Sequence, residues 1–143
     1  MRAIEVVQIK KHPVPVVQQT DSVLTAVKKM LELQESGLLI LTPKGDLVGI
    51  VTEKDVMRLV AERYTLLNKI EVWEIMSKSL TTVDADTPLE AVLTIMGEKN
   101  IHHLPLMKEG KPLGLISSDD IIRARLQKSE HEAEMLKEYI QKQ

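Results

Sequence analysis

The sequence predicts an α+β fold: two tandem β-α-β-β-α units packed on each other about a pseudo-twofold axis. Three observations lead there. The chain repeats itself: moved along by 65 residues, Gly45 falls on Gly110, Gly49 on Gly114, Thr52 on Ser117, Asp55 on Asp120 and Arg58 on Arg123. Within each copy, short apolar runs of strand type alternate with apolar residues at helical spacing. A unit of about 55 residues buries too little surface to be stable alone, so the two copies are expected to share a core.

The match runs backwards through Asp21 and Asp86, Leu24 and Leu89, Ala26 and Ala91, and Leu39 and Leu104. In front of Asp21 the best offset becomes 66, where Ile9 meets Ile75 and Val17 meets Val83; one extra residue in the loop before Asp21 accounts for the slip. Each unit opens with a β-type piece, residues 14–17 or 80–83. A helix follows. In the second copy Thr87-Pro88-Leu89-Glu90 supplies a cap, a proline at the first helical position and an acid at the third. Leu89, Val92, Leu93 and Met96 then form an apolar stripe, as Val23, Val27, Met30 and Leu31 do in the first copy. Two strands come next, 38–42 and 47–51 in the first copy, 103–107 and 113–116 in the second. They are joined by hairpin turns at Pro43-Lys44-Gly45-Asp46 and Lys108-Glu109-Gly110-Lys111. A second helix starts at Thr52 or Ser117. The expected boundaries are 5–63 for the first unit, 64–70 for a connector, 71–127 for the second unit and 128–143 for a helical tail. In the tail, Leu126, Ser129, Ala133, Leu136 and Ile140 follow 3-4 spacing, which suits either a partner helix or packing on the chain's own units.

Composition excludes several function classes. The 19 basic and 21 acidic residues of this 143-residue chain nearly balance, so no field favours nucleic acid or an anionic membrane surface. No apolar run is long enough for a transmembrane helix, and the N-terminal stretch lacks the features of a signal peptide. A soluble, cytoplasmic protein is expected. There is no cysteine, hence no disulfide, thiolate metal site or thiol nucleophile. There is no phenylalanine either, so the core must be built from Val, Ile, Leu and Met. No phosphate loop or dinucleotide fingerprint occurs. His102 and His103 are adjacent on a strand and point to opposite faces, a poor arrangement for metal. Neither catalysis, nor a required cofactor, nor a metal is expected.

The two segments "GIVTEKD" and "GLISSDD", each a strand running through Gly and two apolar residues into Ser/Thr-x-x-Asp and a helix, resemble the signature of the CBS domain, the module named after cystathionine β-synthase. The strand "HHLPLM" at residues 102–107 is similar to the family's basic-Leu-Pro-Val strand. The resemblance implies a pair of domains forming one Bateman module, with clefts that take adenosine-containing ligands: AMP, ADP, ATP or S-adenosylmethionine. It also implies a regulatory role, a homodimer and an unknown protein partner. The first copy has Gly37-Leu38-Leu39-Ile40 in place of the His-Pro strand, so the two clefts are expected to differ.

The residue chemistry suits such a ligand. A carboxylate can accept hydrogen bonds from both ribose hydroxyls at once, and Asp55 and Asp120 fit that role. Thr52 and Ser117 stand at helix starts, where free N–H groups favour phosphate. Val51, Ile116, Leu104 and Pro105 are candidates for an apolar purine slot, with Gly49 and Gly114 allowing close backbone approach. Thr82, His103, Arg58 and Arg123 are further candidates for ligand contact. The competing account is structural: Ser/Thr followed by an acid three residues later is a capping box, which by itself justifies all four motif residues. That alternative leaves a ligand-free interaction or dimerisation module.

Overall fold

The computed structural model describes residues 1–63 and 66–142. In chain order the elements are helix α1 (Ala3–Ile9), strand β1 (Val16–Gln18), α2 (Val23–Leu33), β2 (Gly37–Leu41), β3 (Leu47–Thr52), α3 (Glu53–Arg63), two 3-10 turns (Leu67–Lys69 and Val72–Glu74), β4 (Val83–Asp84), α4 (Leu89–Lys99), β5 (His103–Lys108), β6 (Lys111–Ser117) and α5 (Ser118–Gln141). The β-α-β-β-α order therefore occurs twice. Each unit carries a three-stranded sheet, β1-β2-β3 or β4-β5-β6, whose first strand is parallel to the second and whose last two form an antiparallel hairpin. Gly45 and Gly110 sit in the hairpin turns with φ of 87° and 78°, a conformation that side chains other than glycine's resist.

Local signals explain the helix ends. Ser22 Oγ accepts from Thr25 N at 3.0 Å and starts α2. Gln34 and Asn100 close α2 and α4 in the left-handed region. The expected cap at Thr87 moves: Pro88 is the N-cap of α4, without a side-chain bond. The chain's own beginning does the work instead, since Leu89 N donates to the Met1 carbonyl and Ala3 N to the Thr87 carbonyl.

The strand register relocates the slip between the two copies. Leu38 faces Val51 as Leu104 faces Ile116, and Ile40 faces Gly49 as Leu106 faces Gly114. The offset is therefore still 66 on β2 and β5 and falls to 65 only on β3 and β6. The extra residue lies in the first hairpin, not before Asp21. In an apolar run such as Gly37-Leu38-Leu39-Ile40-Leu41, buried on both faces, side-chain pattern alone does not fix register. By structure, then, His103 corresponds to Gly37, and Asn100, Ile101 and His102 correspond to Gln34, Glu35 and Ser36.

The segments that lead into the two units are exchanged. Ala3 and Val6 of α1 are buried with Val83, Leu89, Val92, Leu104, Ile116 and Ile121 in the second unit's core. Ile70 and Val72, at the far end of the connector, are buried with Val17, Val23, Leu38 and Val51 in the first unit's core. The hydrogen bonds follow the same exchange: Val23 N donates to Ile70 O, Val72 N to Asp21 O, and Ile4 N to Ala85 O. The rest of the expected connector includes Tyr64 and Thr65, which lie outside the described residues. Both motif glycines mark this packing. A Cβ on Gly49 would meet Met76 Sδ at 2.5 Å, and one on Gly114 would meet Val7 Cγ1 at 2.6 Å. Between the sheets, Leu39, Ile50 and Leu115 form a third buried cluster that joins the units. Burying such aliphatic side chains contributes roughly 1.5–3 kcal/mol each. Beyond Ala124, α5 runs on as an exposed helix, and Leu126, Leu136 and Ile140 stand on its surface. Among the described residues no helix is long and apolar enough to cross a membrane.

Candidate functional site

Two clefts open beside the starts of α3 and α5. The first, of about 400 Å³, is lined by Ile50, Thr52, Lys54 and Asp55 of the first unit, by Ser77, Ser79, Leu80 and Thr81 of the segment leading into β4, and by Lys99 to His103. The second, of about 440 Å³, is lined by Met30, Leu31, Gln34, Glu35, Ser36 and Glu53 against Ser117, Asp119, Asp120 and Arg123. A smaller cavity joins Thr52, Lys54, His102 and His103 to Ser117 and Ser118, so the two helix starts face a common space.

The motif pairs share a local geometry and differ in surroundings. In the first unit Asp55 Oδ2 accepts from Thr52 N at 2.8 Å and from Thr52 Oγ1 at 3.2 Å. Among the described residues its other oxygen, Oδ1, has only the Arg58 guanidinium at 3.5 Å, and that side chain is 63% exposed. In the second unit Ser117 and Asp120 form a closed capping box: Ser117 N donates to Asp120 Oδ2 at 2.9 Å and Asp120 N to Ser117 Oγ at 3.1 Å. Asp120 also faces the Lys10 ammonium, 2.7 Å from Oδ2. Lys10 reaches Glu35 Oε1 at 2.8 Å as well, and donates to the Leu115 carbonyl at 2.6 Å. His12 Nε2 lies 2.7 Å from the same Glu35 oxygen.

Electrostatics separate the clefts further. The first collects Lys54, Lys99, His102 and His103 around one carboxylate. The second collects Glu35, Glu53, Asp119 and Asp120 around Arg123. His103 crosses between the units: its Nε2 is 2.7 Å from Ser36 Oγ, and a Cβ on Gly37 would meet its Cδ2 at 3.1 Å. This crossing explains why the first copy has glycine at that place. Burial holds the His103 imidazole below its ordinary range, opposed by the nearby Asp120 and Glu35 carboxylates.

The structure gathers Thr52, Asp55 and His103 at the first cleft and Ser117, Asp120 and Arg123 at the second. Arg58 lies on the far side of Asp55, against Glu62, Arg63 and Glu74. Val51, Leu104 and Ile116 do not line a cleft: they are fully buried in the two cores. The strand neighbour that faces the first cleft is Ile50. Pro105 is buried opposite Leu115, and Thr82 is exposed while Thr81 lines the cleft. Gly49 and Gly114 make room for Met76 and Val7 rather than for a ligand. Lys10, Glu35 and Ser36 were not foreseen. Among the described residues, no group of three or more His, Asp or Glu is placed to hold a metal ion.

Two β-α-β-β-α units joined by a shared sheet interface, each with a Ser/Thr-x-x-Asp helix start opening on a cleft, define a CBS-domain pair. The chain belongs to the CBS domain family, whose model matches residues 6–62 and 72–127. It is 30% identical over 125 residues to the mitochondrial CBS domain-containing protein CBSX3 of Arabidopsis thaliana, covering 85% of this chain and 61% of that protein. It is 32% identical to an uncharacterized 17.7 kDa protein of Acidianus ambivalens, covering 87% of this chain and 74% of that one. Among solved structures, the CBS domain NE2398 superposes with a TM-score of 0.78 at 30% identity, covering 88% of this chain and 98% of its own. The CBS domain pair of MJ0100, solved in complex with 5′-methylthioadenosine and S-adenosyl-L-methionine, superposes with a TM-score of 0.77 at 26% identity, covering 90% and 98%.

Proposed function

We propose that this CBS pair is a regulatory module that binds an adenosine-containing ligand in the first cleft. The observation that carries the reading is the state of Asp55. One oxygen is used by the cap, while the other meets the exposed Arg58 guanidinium at 3.5 Å, so a carboxylate at the edge of the cleft keeps acceptor capacity for ribose hydroxyls. Ile50, Leu80 and Ile101 supply apolar wall for a purine. The start of α3 and the ammonium groups of Lys54 and Lys99 supply charge for phosphate, which favours AMP, ADP or ATP over an uncharged nucleoside. The adenosine compounds bound to the MJ0100 pair support the ligand class. Ligand binding across the unit interface then alters how the module meets a protein partner or its own second copy, for which the exposed stripe of α5 is the available surface. The closed Ser117–Asp120 capping box favours a second reading, an interaction module without a small ligand.

Thermal unfolding with AMP, ATP, 5′-methylthioadenosine and S-adenosylmethionine separates these readings. A ligand at 100 times its dissociation constant adds about 2.7 kcal/mol, a rise of roughly 5–10 °C for a chain of this length. Asp55→Asn keeps an oxygen for the Thr52 cap and replaces the free acceptor with a donor. The expected result is a rise in the wild type that Asp55→Asn loses. No rise with any compound leaves the interaction module standing and removes the sensor.

A further inference from the structure

We infer that Lys10 is a resident occupant of the second site, and that it makes this two-unit protein a one-site binder. The inference rests on reading the Asp55 cleft as an adenosine site.

In the leading segments Arg2 bridges Pro88 as Glu71 bridges Ser22, and Val7 packs on Gly114 as Met76 packs on Gly49, so Met76 corresponds to Val7, and Lys10 lies in a stretch to β1 that is three residues longer than the one between Met76 and β4. In the first unit Ser77 forms a backbone bridge with Ile50, with Ile50 N donating to Ser77 O at 3.1 Å and Ser77 N to Ile50 O at 2.9 Å. The bridge holds the segment 77–81 open as one wall of the cleft. At the corresponding place in the second unit the Leu115 carbonyl is taken by the Lys10 ammonium, 2.6 Å away. Lys11 turns into the left-handed region, with φ of 55°. The cavity beside Asp120 is bounded by the end of α2 instead of by residues 11–15.

The chemistry of the occupant matches that of the site. An ammonium has three donors and no acceptor. Lys10 spends them on Glu35, Asp120 and the Leu115 carbonyl. A ribose bonding to the Asp120 carboxylate would compete with a charge-assisted contact at Oδ2 that is 90% or more out of solvent on both sides, the side chains of Lys10 and Asp120 being 10% and 7% exposed. Glu35 completes the difference. It stands where the first cleft has Ile101, so an apolar wall becomes a second counter-ion for the lysine. The remaining acidic lining, Glu53 and Asp119, repels a phosphate. Lys10 thus acts as the residue that decides which cleft is available.

Equilibrium dialysis with radiolabelled AMP, and separately 5′-methylthioadenosine, reads the stoichiometry. The wild type is expected to saturate at one per chain. Asp55→Asn is expected to remove that site and Asp120→Asn to leave it. Lys10→Ala leaves two buried carboxylates without a cation and risks misfolding, so it is paired with Lys10→Ala/Glu35→Gln, checked by circular dichroism. The double variant is expected to bind two per chain, its second equivalent abolished by adding Asp120→Asn. Reductive methylation of the wild type gives an independent readout, in which Lys10 is expected to react at least tenfold more slowly than Lys44 or Lys54. One equivalent in both the wild type and the folded double variant overturns the inference and leaves the first cleft intact. Two equivalents in the wild type, or a Lys10 amine that reacts as fast as the exposed lysines, also overturns it. Absence of binding in every protein overturns the adenosine reading itself.

Discussion

Replacing Lys10 with methionine removes one cation and strands two carboxylates. The Glu35 side chain is 4% exposed and that of Asp120 7%. Breaking a buried pair by deleting one partner costs about 3–5 kcal/mol, because the charge left behind has neither water nor a counter-ion. His12 still reaches Glu35, which places the expected loss toward 3 kcal/mol. The Leu115 carbonyl also loses its donor, which pushes it back up. With an unfolding entropy of about 2.1 cal/mol/K per residue over 143 residues, each kcal/mol moves the midpoint by roughly 3 °C, so a fall of about 10–15 °C is expected. Urea titration followed by circular dichroism gives the free energy directly. The control is the set replacement Lys10→Met/Glu35→Gln/Asp120→Asn, in which no buried charge is stranded. It should recover more than half of the loss. If Lys10→Met unfolds within about 1 kcal/mol of the wild type, the ammonium is not the counter-ion of these carboxylates and the account of the second cleft fails.

Three other outcomes are expected. Gly49→Ala puts a methyl group against Met76 and 3.0 Å from the Ser77 carbonyl; it should cost about 1–3 kcal/mol in urea titration, and Met76→Ala in the same chain should return part of that. His103 titrates below its ordinary value of 6.5 in the folded chain, so between that lowered value and 6.5 the unfolded chain holds more protons. Stability must then rise with pH through this window and level off above it. In His103→Gln that part of the slope should vanish, and an unchanged profile in urea midpoints from pH 5 to 8 would count against the buried imidazole. Finally, ending the chain after Gln127 removes only exposed turns of α5. The free energy of unfolding should stay within about 0.5 kcal/mol, even though the helical signal at 222 nm drops.

Much of this architecture was written plainly in the chain. The repeat, the order of elements, the hairpin glycines and the two helix starts all rest on local chemistry, on turns, caps and periodicity, and local chemistry is readable without the fold. What escaped depends on contacts between residues far apart. Val51 and Ile116 were expected at the clefts and lie in the cores: strand alternation puts Ile50, not Val51, on the face of Thr52. The site of the extra residue was hidden by the ambiguity of register in β2. Lys10 is an ordinary lysine in sequence; its partners are 25 and 110 residues away, and only the exchange of the leading segments brings them together. The glycines of the motif were seen correctly as places of close approach, but the approaching groups are the protein's own.

That exchange also sets a timetable for synthesis. Residues 1–9 leave the ribosome well before residues 83–124, against which they find their place. Until then α1, seven residues long, is too short to hold its own shape. Closing so long a loop is slow. The nascent first unit meanwhile waits for Ile70 and Val72 before its own core is complete. Neither half has a complete core without a segment from beside the other, so the two units are expected to reach their native form together. A break anywhere in the connector should therefore yield fragments that fold only in each other's presence.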